Sequence, residues 1–188
     1  MDEKAMELKM KSKILSILTP AIALLFVGCT GLPKGITPVT GFSIEMYMGT
    51  WYEIARLDHS FERNMANVTA NYSLGPKGVI RVVNRGFDTQ KKEWKSVEGR
   101  AKFISQPDVG SLKVSFFGPF YGGYHVIALD KEGYRYAMVS GPNRSYLWIL
   151  ARDKKLDTAI QTELIAQAEV LGFKTEDLIL VDHDFAEE

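Results

Sequence analysis

The sequence predicts an all-β fold: a meander of eight antiparallel strands, closed into a barrel or stacked as a sandwich, with one late helix. Three observations predict it. Short runs with a two-residue apolar period recur from residue 50 onward, separated by turn signals at about the 8–12-residue spacing of such folds. The connections are hairpin length and hold no helix, which favours an up-and-down antiparallel order over a parallel sheet. Near the C-terminus the apolar period changes once, from two residues to helical.

Residues 1–28 read as a leader. Met10 to Lys13 is short and basic, and residues 14–27 are mostly apolar. That run is shorter than the roughly 20 residues of a membrane-spanning helix and fits a secretory signal. Asp2, Glu3 and Glu7 are out of character in such a signal, so translation is expected to start at Met10. The apolar run leads through Val27-Gly28 into Cys29, the one cysteine of the chain, so no intramolecular disulfide can form. Thr30 to Thr40 is rich in Gly, Pro and Thr without periodicity, so residues 29–40 read as a flexible tether.

The body, residues 41–188, begins with Gly49-Thr50-Trp51-Tyr52 and an extended run to Leu57. Glycine permits a tight turn there, and an indole offers an apolar plate able to plug the end of a small barrel. Val68, Ala70, Tyr72 and Leu74 alternate with polar neighbours until Gly75-Pro76 breaks the run. Residues 79–87 follow, then 94–103, where Val97, Gly99, Ala101 and Phe103 share a face. Leu112, Val114 and Phe116 alternate up to Gly118-Pro119, and residues 124–129, 134–140 and 146–152 complete the eight. In residues 157–171, Ile160, Leu164, Ala168 and Leu171 fall on one helical face, with Asp157 placed as N-cap and Gly172 as stop. That helix must lay its stripe on the outside of the sheet. Residues 178–181 read as a last short strand.

Composition narrows the function. The 188 residues are 46% hydrophobic and 24% charged, enough for one domain with its own core. A net charge of zero and the lack of a basic run exclude a nucleic-acid partner. Removing residues 1–28 takes four of 23 basic and three of 23 acidic side chains, so the remainder stays close to neutral. His125 and His183 have no second ligand at metal spacing, so neither a metal site nor a cofactor is expected. Asp58-His59-Ser60 invites a hydrolase reading, but no nucleophile elbow accompanies it. No catalytic residue is assigned.

Several strings taken together resemble the lipocalin family over residues 41–188: residues 49–56 (GTWYEIAR), 58–63 (DHSFER), 113–124 (KVSFFGPFYGGY) and the run ending in Arg152. The likeness is to its bacterial outer-membrane lipoprotein branch, which is apolipoprotein D-like. The resemblance implies an eight-stranded up-and-down antiparallel barrel, the lipocalin calyx, with one C-terminal amphipathic helix outside. It implies that Gly49 and Trp51 open the first strand and that Arg152 covers the indole to close the barrel. Asp130 and Tyr134 are the loose counterpart of the family's middle motif. Val27-Gly28-Cys29 resembles a lipobox, in which Cys29 is lipidated and the protein held on the periplasmic face of the outer membrane.

The resemblance further implies fatty acids or lysophospholipids as ligands, stored or moved at the envelope. Strand parity makes Trp148 inward-facing with Tyr146 above it, and Phe103, Phe116, Tyr124 and Tyr136 are the other candidate ligand contacts. The stretch from Phe116 to Tyr124 is expected to line the mouth, touch a membrane or form a homodimer contact. Two other functions remain open at this stage: an envelope enzyme acting on lipids, and a tethered scaffold with a filled barrel.

Overall fold

The computed structural model describes residues 30–185, so the leader and Cys29 lie outside the described residues. The described strands are β1 (Gly49–Leu57), β2 (Met65–Leu74), β3 (Ile80–Asp88), β4 (Glu93–Phe103), β5 (Ser111–Ser115), β6 (Gly122–Leu129), β7 (Tyr136–Ser140), β8 (Leu147–Ala151) and β9 (Leu178–Leu180). They form one sheet in the order β2-β3-β4-β5-β6-β7-β8-β1-β9, and β2 also pairs with β1. The first eight therefore close into the barrel, while β9 pairs with the far half of β1, through Leu57↔Leu178. Closure removes the free edges that an open sheet would present.

Because the strands alternate in direction, the loops after β1, β3, β5 and β7 gather at one end of the barrel. Those after β2, β4 and β6 gather at the other. A single helical turn, α1 (Ile44–Tyr47), precedes β1 and belongs to this second end. The Ser43 hydroxyl caps it by accepting from the Met46 amide. One turn of four residues is too short to show a helical period.

Two apolar clusters lie on opposite sides of the wall. The inner one includes Trp51, Tyr72, Ile80, Val82, Leu112, Val126, Val139 and Leu150. The outer one packs α2 (Thr158–Val170) onto the barrel, with Leu164 and Ala168 against Ala55, Met138, Leu147 and Ile149. The Asp157 carboxylate caps α2 by accepting from the Ala159 and Ile160 amides. Gly172, at φ +80°, ends it.

Residues 30–40 differ from the expected tether. Val39 donates its amide to the Val126 carbonyl at 2.9 Å and accepts from the Gly110 amide at 2.9 Å, while Thr40 bridges to Val109. Arg144 holds the Lys34 carbonyl at 2.7 Å, and His125 Nε2 lies 3.0 Å from the Gly31 carbonyl. Leu32 and Ile36 join the outer cluster. The segment is a strap along the outside of the barrel. Its apolar residues come singly among Gly, Pro and Thr, so they carry no period, yet each finds a site on the wall.

Candidate functional site: the calyx

The closed end is built around Trp51, which is fully buried. Its Nε1–H donates to the Tyr47 carbonyl at 2.9 Å, tying the indole to α1. The Arg152 guanidinium lies 4.0 Å from the ring centroid. That guanidinium also donates to three carbonyls: Thr50 at 2.9 Å, Met46 at 2.7 Å and Tyr134 at 3.1 Å. One side chain thus joins β1, α1 and the β6–β7 loop beneath the indole. Gly49 takes φ +95°, and a Cβ there would stand 3.4 Å from Arg152 Nη1. Tyr134 accepts from the Ser43 amide at 2.8 Å through its hydroxyl, while Asp130 is held by Arg135 at 2.7 Å.

Above the floor, the Tyr124 hydroxyl bonds to those of Tyr47 at 2.7 Å and Tyr72 at 2.8 Å. Burial pushes all three hydroxyls above the ordinary tyrosine range, so the triad is neutral. Phe103, Phe116, Tyr124 and Trp148 all pack on the inner cluster and keep part of their surface accessible. Phe116 lies over Gly99, where a Cβ would come within 2.6 Å of the ring. Tyr146 stacks above Trp148 with ring centroids 6.1 Å apart.

Tyr136 is a correction. It packs in the outer cluster, while its neighbours Ala137 and Val139 face inward. The strand starts at Tyr136 and not at Tyr134, whose φ of 51° places it in the preceding turn. Tyr134 packs on the inner cluster, but the turn between it and Tyr136 breaks the two-residue alternation, so Tyr136 lies on the other face.

Nearer the open end, the lumen holds charged side chains that strand reading did not single out. Glu53 is opposite Leu150 and Arg56 opposite Trp148, and the two are 4% and 2% exposed. Arg56 Nη1 donates to Glu53 Oε1 at 2.8 Å, and Nη2 donates to the Glu62 carbonyl at 2.8 Å. Glu62 Oε2 accepts from Trp148 Nε1–H at 3.1 Å and lies 3.1 Å from His59 Nε2. Asp58, by contrast, turns outward to pair with Arg63.

Burial, followed by the nearby Glu62 carboxylate, pushes the Glu53 carboxyl well above the usual glutamate range despite Arg56. Burial also acts upward on Glu62, but His59, Trp148 and Arg56 outweigh it and hold this carboxyl down. Glu62 is thus the anion of the cluster and Arg56 its cation. Arg56 Nε and His59 Nδ1 are buried without a hydrogen-bond partner. The sequence signals for this cluster were Asp58-His59-Ser60 after β1 and two charges inside an otherwise apolar strand.

A family model described as a lipocalin-like domain matches residues 42–183. The chain belongs to the lipocalin family. It is similar to the outer membrane lipoprotein Blc of Vibrio cholerae, at 49% identity over 159 residues, covering 85% of this chain and 93% of that protein. Blc of Escherichia coli K12 is 48% identical over 161 residues, with 85% and 90% covered. Apolipoprotein D of Macaca fascicularis is 34% identical over 155 residues, with 76% and 81% covered. In fold the lipocalin is similar to insecticyanin from Manduca sexta, with a TM-score of 0.64 at 22% identity over 84% of this chain and 88% of that one.

Proposed function

We propose that this calyx binds one single-chain amphiphile, a fatty acid or a lysophospholipid, and stores or moves it at the envelope. The supporting observation is a closed barrel with a sealed floor whose inward aromatics, Phe103, Phe116, Tyr124 and Trp148, retain accessible surface. An eight-stranded barrel is wide enough for about one small ligand. Each methylene buried contributes about 0.8 kcal/mol, so an acyl chain supplies several kcal/mol after ordering losses. The polar head then sits toward the open end, where Arg56 Nε and His59 Nδ1 are unpartnered. Cys29 carries the lipid anchor in this reading.

Titration with oleate and with a lysophospholipid, read by tryptophan fluorescence, tests the proposal. Saturable quenching or enhancement that disappears in Trp148→Phe is expected, because Trp148 lines the lumen while Trp51 is sealed below it. A protein that takes up neither lipid in native mass spectrometry is a filled-barrel scaffold, and the proposal fails.

A further inference from the structure

We propose that the strap holds the mouth of the calyx against the membrane, so that its open end faces the leaflet carrying the anchor. This rests on the lipidation of Cys29. The strap fixes where that anchor emerges. A Cβ on Gly123 would lie 3.3 Å from Thr30 C and 3.1 Å from the Gly31 carbonyl. Gly123 is one residue from the mouth end of β6.

One residue, Thr30, separates Cys29 from the docked Gly31, so two Cα steps give a reach of at most about 7 Å. The nine residues of β1 span roughly 30 Å from floor to mouth. The anchor is therefore confined to the mouth end, and no free tether lets the barrel turn over. A second point of closure comes from Arg144 in the β7–β8 loop, which also belongs to the mouth. It grips the Lys34 carbonyl at 2.7 Å and the Leu171 carbonyl at 2.7 Å.

The rim itself is suited to a bilayer interface. Phe117 in the β5–β6 loop is 75% exposed, and Phe61 in the β1–β2 loop is 57% exposed. These loops lie on opposite sides of the ring, so two aromatic points flank the opening. Large apolar side chains exposed at a rim beside a lipid anchor favour the headgroup–acyl boundary over water. With the mouth seated there, an acyl chain enters the calyx without crossing water, which avoids exposing its methylenes.

The test uses the full, lipidated protein in phosphatidylethanolamine/phosphatidylglycerol vesicles. Lipidation blocks Cys29, so one introduced cysteine carries an environment-sensitive fluorophore at Phe117, Phe61, Lys77 or Gln106. Lys77 and Gln106 belong to the loops of the closed end. Labels at 117 and 61 are expected to shift to the blue and be quenched by brominated lipids, and labels at 77 and 106 to behave as in water. Phe117→Asp, read from the label at 61, should lower quenching several-fold. Protein that floats with the vesicles while all four labels respond alike, or only the closed-end labels respond, overturns the orientation. Protein that does not float overturns the anchor reading and the orientation with it. Lipid uptake by the calyx is scored separately by the fluorescence titration.

Discussion

Replacing Arg56 by Met should destabilise the barrel more than replacing Arg56 and Glu53 together. Arg56→Met keeps most of the stem's volume but removes the guanidinium that donates to Glu53 Oε1 and the Glu62 carbonyl, both at 2.8 Å. Glu53, 4% exposed and beside the Glu62 carboxylate, is then left without its cation. Removing one partner of a buried ion pair costs about 3–5 kcal/mol. Glu53 already holds its proton above the usual range, so its escape by protonation is easy. The lower figure, about 3 kcal/mol, is therefore expected. For a domain of this size that lowers the melting temperature by about 6–12 °C. Glu53→Met with Arg56→Met replaces the pair by apolar side chains, which is often neutral or stabilising by about 1–4 kcal/mol.

The assay is urea unfolding followed by circular dichroism for the four proteins of this double-mutant cycle, at pH 5 and pH 8. The pH dependence has a definite sign. A carboxyl whose folded pKa lies above its ordinary 4.5 contributes stability present below that value and lost as pH rises through the folded value. The deficit of Arg56→Met should therefore grow from pH 5 to pH 8. Equal deficits at both pH values, or a double variant as unstable as the two singles summed, would refute the reasoning.

Arg152→Met should lower stability by about 2–3 kcal/mol, since three carbonyl bonds and a cation–π contact are lost from a half-exposed side chain. Thermal unfolding measures it, and an unchanged melting temperature would show that the indole needs no cover. Gly99→Val places a side chain within 2.6 Å of Phe116 and should weaken lipid uptake, with about 1–3 kcal/mol of overpacking, as calorimetry and titration would read. Trp148→Ala should reduce lipid affinity while Tyr136→Phe leaves it unchanged, because only the first side chain faces the lumen. Burial holds the His125 pKa below its usual value, so the stability it lends is lost as pH falls from above 6.5 through the folded value. Hydrogen exchange of residues 30–36, corrected for intrinsic rates, should rise on going from pH 7.5 to pH 5 more than that of α2; equal changes would place the pH sensitivity elsewhere.

Much of the fold was legible because its signals are local and repeated. Val97, Gly99, Ala101 and Phe103 share a face because β4 is regular along its pairing with β3. Asp157 and Gly172 mark α2 to within a residue because capping and a left-handed stop act on their own few neighbours. The strap was illegible for the opposite reason. Leu32, Ile36 and Val39 have no common period, and their partners, such as Val126 and Arg144, are far away in sequence.

The charged cluster shows the same limit in a sharper form. In an unbroken strand Glu53 and Arg56, three apart, must face opposite sides of the wall. The irregularity between Glu53 and Ala55 adds a residue to β1, and Arg56 then turns inward opposite Trp148. Without it Glu53 would meet Glu62 with no cation in the lumen, and the guanidinium would replace an apolar side chain beneath α2. The bulge thus converts an alternating strand into one that closes an apolar floor with Trp51 and supplies a paired charge above it. Strand parity alone reaches the first of these and not the second, so a mouth-facing polar site in a small barrel is to be sought at the bulges.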